Sequence, residues 1–264
     1  MRRAIGFAIL LIVAATAAMA AAQPPVGIVR PRDERGLAPV ALGRQLFAGN
    51  CSSCHGSLAQ GISSAPADRG VGDVTGLGPS LRGVGARALD FYLSTGRMPL
   101  RDPHEEPQRQ RPELSRKEID GIIAYVTSLG PAGPPVPDPH PESGAINEGL
   151  KLFTEHCAGC HQIVAQGGVV TGARVPGLQA ASATQIAEAV RVGPYLMPRF
   201  SAKQINDHQL DSIVRYVLST RDPPDRGGWG IGNIGPIPEG MVTWGLAVVV
   251  LIAVCILLGK RVRS

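Results

Sequence analysis

Two five-residue strings, Cys51-Ser52-Ser53-Cys54-His55 and Cys157-Ala158-Gly159-Cys160-His161, constrain this chain more than any other feature. In C-x-x-C-H the two thiols lie one helical turn apart on one face, where they can add across the two vinyl groups of a haem. The histidine follows at once, so its imidazole swings under the ring and binds the iron as proximal ligand, the pattern of a c-type attachment site. A thioredoxin-like dithiol or half of a zinc site also uses C-x-x-C. Two copies in an exported chain, each followed by proline and Met-Pro landmarks, fit neither. The expected cofactors are therefore two covalently bound haem c groups, held by Cys51 and Cys54 and by Cys157 and Cys160, with His55 and His161 on the irons.

The strings sit inside a longer repeat. Gly43-Arg44-Gln45-Leu46-Phe47 before the first aligns with Gly149-Leu150-Lys151-Leu152-Phe153 before the second. Gly78-Pro79-Ser80-Leu81 answers Val175-Pro176-Gly177-Leu178, and Arg97-Met98-Pro99 answers Leu196-Met197-Pro198. Each module then closes on an apolar helix with a Tyr-Val pair. In the first, Ser115 and Glu118 form a capping box and Ile119, Ile122, Ile123, Val126 and Leu129 recur at helical spacing until Gly130-Pro131. In the second, Ser182 and Gln185 cap one helix, and Ser201-Ala202-Lys203-Gln204 is expected to open another with Leu210, Ile213, Val214 and Val217 as its buried stripe.

Met98 and Met197 each precede a proline in polar or small-residue loops, where an isolated Met has little packing role, and are the expected sixth ligands. A thioether favours ferrous iron, so His/Met ligation raises the reduction potential and suits a carrier. Pro79 and Pro176 are placed to fix a loop whose carbonyl accepts from the Nδ1 hydrogen of the axial histidine, setting ring orientation and basicity. Of the other histidines, His140, His156 and His208 read as exposed, and His104 is the rival ligand to test.

Aromatic residues make up only 4% of the chain, against 33 glycines and 23 prolines, so a protein-only core would lack large apolar bodies. Two porphyrins would supply them. The net charge of +5 sits at the ends, in Arg2, Arg3, Lys260, Arg261 and Arg263. The remainder is neutral, with no basic stripe, which sets nucleic-acid binding aside.

Residues 1–22 have a basic start, an apolar run and small residues of A-x-A type, the signature of a signal peptide, with an uncleaved anchor as the alternative. Residues 241–259 are free of charge and rich in Val, Leu, Ile and Ala, with Trp244 at the start, so they are expected to cross the membrane. The basic tail at 260–264 places that end in the cytoplasm and residues 23–240 outside it. Cys255 is a small hydrophobe within the span. The expected fold is mainly α: two tandem class I cytochrome c domains, 37–130 and 146–221, plus one C-terminal transmembrane helix. A Pro-rich spacer, 131–145, separates the domains. A Gly/Pro-rich segment at the membrane surface, 222–240, precedes the helix.

The sequence resembles the dihaem cytochrome c subunit of the actinobacterial menaquinol:cytochrome c reductase, the cytochrome bcc complex. The resemblance runs through Leu46-Phe47, Ser94-Thr95-Gly96-Arg97-Met98-Pro99, both haem strings, Met197-Pro198 and the lead-in Gly235-Pro236-Ile237-Pro238-Glu239-Gly240-Met241. It implies a plasma-membrane subunit of a translocase-class oxidoreductase, with electron transfer as its task and no substrate site of its own. The implied partners are a cytochrome b subunit, a Rieske iron-sulfur subunit that donates electrons, an aa3-type cytochrome c oxidase in a supercomplex, and membrane lipid. Residues 61–76 and 101–113 depart from the family pattern. The competing readings are a membrane-anchored dihaem carrier of another respiratory or dehydrogenase complex; a soluble cytochrome c4-like protein or the dihaem subunit of a cbb3-type oxidase, both of which the C-terminal anchor disfavours; and a dihaem peroxidase, which two Met candidates disfavour.

Overall fold

The structure, a computed structural model, describes residues 27–62, 78–100, 106–221 and 236–262. The expected signal peptide, His104 and most of the Gly/Pro-rich segment lie outside the described residues. The chain divides into one compact unit ending at Arg221 and a second beginning at Asp222.

The first half of the larger unit holds α1 (Pro39–Asn50), α2 (Ser52–His55), α3 (Gly85–Ser94) and α4 (Arg116–Ser128). Pro39 stands at the first position of α1, where the missing N–H would have had no partner. The Ser115–Glu118 capping box opens α4, and Arg30 holds the Glu118 carboxylate at 2.6 Å. Helices α1 and α4 bury Leu42, Leu46 and Phe47 against Ile119, Ile122 and Val126. The rings of Phe47 and Tyr125 lie 5.5 Å apart, tilted at 57°.

The second half repeats this plan with α5 (Ile146–His156), α6 (Ala158–His161), α7 (Ala183–Val192) and α8 (Asp207–Ser219). Phe153 and Tyr216 stack at 5.3 Å and 53°, the counterpart of the first pair. An antiparallel hairpin not foreseen from sequence, β1 (Gly168–Val170) and β2 (Ala173–Val175), follows α6. One expected boundary differs. Ser201 does donate to Gln204 Oε1 at 2.9 Å, but the chain there only turns. The helix starts after Asn206, whose side chain accepts from Gln209 N while Gln209 caps in return. The turn drives Ile205 inward to 1% exposure, which a helix begun at Ser201 would not need.

The spacer is laid along both halves rather than holding them apart. Pro134 O accepts from Arg87 N at 3.2 Å, and further on His140 N and Ala145 N donate to Asp211 and Ser212. The halves also touch directly through α3 and α7, where Gln185 Nε2 donates to the carbonyl and hydroxyl of Ser94 at 3.1 and 3.2 Å.

The second unit contains α9 (Pro236–Val262). Pro236 and Pro238 fall in its first turn, where no helical hydrogen bond is lost, so the helix starts ahead of the apolar run. Within it Gly240–Arg261 is long and apolar enough to cross a membrane.

Candidate functional site

Each C-x-x-C-H string is bent into a single helical turn by the helix before it. Cys51 N and Cys157 N donate to the carbonyls of Phe47 and Phe153, ending α1 and α5. His55 N and His161 N then close the next turn onto Cys51 O and Cys157 O, both at 2.9 Å. The loops beyond repeat the same bonds. His55 O and His161 O accept from Gly61 and Gly167 at 2.8 and 2.9 Å, and Leu81 and Leu178 donate to Ala59 and Ala165 at 2.9 and 2.8 Å.

These loops bring the two prolines to the histidines. His55 Nδ1 lies 2.8 Å from Pro79 O, and His161 Nδ1 lies 3.2 Å from Pro176 O. With Nδ1 carrying the proton, Nε2 is left as the lone pair that can bind a metal. Gly78 allows the approach, since a Cβ there would stand 2.7 Å from His55 Nδ1. His161 is buried, and burial lowers its proton affinity while the Pro176 bond works against that. A neutral imidazole is the form that ligates iron.

The thiols do not suit a redox dithiol. Burial, reinforced by the neighbouring cysteine, pushes Cys51 up to about 12 and Cys157 up to about 11. A thioredoxin-like centre needs the opposite shift.

In the second half a cavity of about 850 Å³ brings together Cys157, Cys160, His161, Pro176 and Met197, walled by Phe153, Leu178, Ile186, Val190 and Ile213. Its mostly apolar wall, with paired cysteines and a histidine on one side and a thioether also on the wall, fits a covalently held haem. In the first half, Cys51, Leu81 and Met98 border one apolar cluster, as Cys157, Leu178 and Met197 border the other. Met98 lines a small separate groove with Arg97, Pro99 and Gln110.

His140 faces Asp138 and Glu142, and His208 faces Glu148. His156 is exposed, packs against Phe200 and also lines the large cavity. Sequence reasoning missed three groups. Tyr125 and Tyr216 donate to the carbonyls of Ser57 and Ile163, each two residues past a haem-string histidine, at 3.3 and 2.5 Å. Their matched Tyr-Val pairs were the available signal. Arg97 and Arg109 line the cavity of the other half, and Asp90 and Glu188 are buried where the halves meet. No local pattern marks either pair.

Fold and site together define a c-type cytochrome of two cytochrome c domains and an apolar C-terminal helix. Residues 40–130 match the family model for cytochrome c, and residues 144–217 match that for cytochrome C oxidase, cbb3-type, subunit III. The cytochrome bc1 complex cytochrome c subunit of Mycobacterium tuberculosis is 34% identical over 99% of this chain and 92% of its own length. That of Corynebacterium diphtheriae is 32% identical over 87% and 83%. A cbb3-type cytochrome c oxidase subunit of Azospirillum sp. is 28% identical over 72% and 64%. The chain belongs to the family of cytochrome bc1 complex cytochrome c subunits. It is accordingly a membrane-anchored electron-carrying subunit of an oxidoreductase, with covalently bound haem c.

Proposed function

We propose that this subunit holds two haem c groups and relays electrons from a Rieske iron-sulfur protein to a terminal haem-copper oxidase, within a menaquinol-oxidising, proton-translocating complex. The observation that carries the reading is the matched pair of histidine–proline bonds, His55 to Pro79 and His161 to Pro176, each beside a C-x-x-C turn. When bound, each haem supplies one-electron iron chemistry at a potential set by its axial ligands.

The chain's own residues do the rest. Cys51, Cys54, Cys157 and Cys160 fix the group covalently, and the prolyl carbonyls orient His55 and His161 while raising their donor strength. Met98 and Met197 would supply the second protein ligand to each iron, which would keep small molecules off it and favour transfer over peroxide chemistry. The apolar walls of the large cavity exclude water, which limits the reorganisation that accompanies each electron. The basic run Lys260-Arg261-Val262-Arg263 at the C-terminal end of the apolar helix supports an orientation with both domains outside the cytoplasm. Partner subunits are a cytochrome b, the Rieske protein and an aa3-type oxidase.

Purification of the tagged chain in mild detergent, followed by reduced-minus-oxidised spectra, tests this. The expected result is c-type haem recovered with b-type haem and a Rieske centre, reducible by menaquinol. Recovery of c-type haem alone, with no response to menaquinol, overturns it.

A further inference from the structure

The second domain does not close its own cavity. Part of the wall comes from the first domain: Phe91, Tyr92 and Thr95 around the end of α3, then Arg97, Glu106 and Arg109. Both arginines are half-buried and both lack a carboxylate partner among the described residues. The Arg97 guanidinium lies over the Phe91 ring, 4.8 Å from its centroid, and makes no hydrogen bond among the described residues. Arg109 uses only Nη2, which donates to Ala180 O at 2.7 Å and Gln185 Oε1 at 3.2 Å. Its Nε and Nη1 are unused among the described residues.

Two guanidiniums at one desolvated wall are costly unless an anion joins them. Burial lowers the proton affinity of both, and Arg109 lowers that of Arg97 further, so each is destabilised by its surroundings. Neither releases its proton, because a guanidinium stays charged in proteins. Glu106 and Tyr92 on the wall offset this only in part for Arg97, whose proton affinity stays lowered. Arg174 and His156 add positive or neutral groups, and Glu106, the one carboxylate among the described lining residues, makes no ion pair with either arginine. Among the described residues no carboxylate pairs with these two guanidiniums, and a carboxylate entering from inside the cavity would match their planar fork in geometry and charge.

We propose that Arg97 and Arg109 of the first domain bind a propionate carboxylate of the haem carried by Cys157 and Cys160, so that the second domain's cofactor is held across the domain boundary. This rests on the reading of Cys157-Ala158-Gly159-Cys160-His161 as a haem site. Two cations beside the ring stabilise the reduced iron, which carries one positive charge less, and so raise the second haem's potential. Arg97 directly precedes Met98, so the loop bearing one domain's axial candidate also grips the other domain's haem.

The test uses the full-length holoprotein in detergent, with R97Q, R109Q, the double variant and R97K. Haem content is measured first. Failure to find thioether-linked haem in the wild-type second domain defeats the functional reading, independently of the arginines. Redox titration then resolves the two haems, assigned by the one whose spectrum changes in M197A. The expected result is a downward shift of the second haem's midpoint in each glutamine variant, larger in the double, with haem retained and R97K between R97Q and wild type, because lysine keeps the charge and loses the fork. An unmoved second-haem midpoint overturns the proposal, as does a shift confined to the first haem, which would assign the carboxylate to that cofactor. The single variants decide the matter if the double fails to fold.

Discussion

Gly43 on α1 is backed against the carbonyl oxygen of Gly121 on α4, so closely that a Cβ at Gly43 would stand 1.8 Å from it. In the second domain a Cβ at Gly149 would stand 1.9 Å from Ser212 O. The clash is with backbone in both cases, so no side chain can swing aside. Gly43→Ala or Gly149→Ala is expected to cost about 3 kcal/mol or more by forcing the helices apart. Denaturant melts of the holoprotein, read through the haem band, check this, and a loss below about 1 kcal/mol would mean that the helices separate easily.

Met98→Ala is expected to remove the sulfur-to-iron absorption band of one haem and lower its reduction potential, and Met197→Ala to do the same for the other. Spectra and redox titration of each variant provide the check. An unchanged band and potential in either variant would mean that another residue ligates that iron.

The legible part of the molecule was the part written as a repeat. Gly43 and Gly149, Phe47 and Phe153, Pro79 and Pro176 fall at equivalent positions because each domain must pass two helices at close range, fill the gap with an aromatic ring, and hold an imidazole by a carbonyl. Those demands are local, and local demands leave residues at fixed spacing. The start of α8 was misjudged because Ser201/Gln204 and Asn206/Gln209 are both capping pairs, and only the burial of Ile205 favours the second. The hairpin over 168–175 has strands of three residues each, too short for alternation to register. The domain contact was invisible because Asp90 and Arg109 meet Glu188 and Gln185 across a boundary that no spacing encodes.

Glu188 on α7 is fully buried where α7 meets α3, with Asp90 of α3 as its acidic neighbour and Arg116 and Arg87 nearby. Asp90 itself is ion-paired to Arg116. Burial, then the Asp90 charge, pushes the Glu188 carboxyl from its ordinary 4.5 up to about 9. The folded pKa is raised for an acid, so the fold favours the neutral form. The stability that Glu188 contributes is fully present below pH 4.5 and is lost as pH rises toward 9. Glu188→Gln cannot ionise and is expected to flatten this decline. Melting temperatures at about pH 6 and about pH 9 measure the difference, and parallel falls in wild type and variant would show that Glu188 does not titrate with unfolding.

Tyr216 and Tyr125 hold the loops just past the two haem strings, but at 2.5 and 3.3 Å the bonds are unequal. Tyr216→Phe is expected to cost about 1 kcal/mol and Tyr125→Phe less. The comparison is made by chemical denaturation of both variants, and the reverse order would contradict the geometry.

Intact-mass measurement of the chain purified from its native membrane, under conditions that preserve thioether bonds, tests most directly whether both C-x-x-C-H strings hold haem. The predicted mass is the polypeptide plus two haems, falling to one haem when Cys51 and Cys54 are both replaced by Ser or when Cys157 and Cys160 are. A chain carrying one haem or none would contradict the two-haem relay.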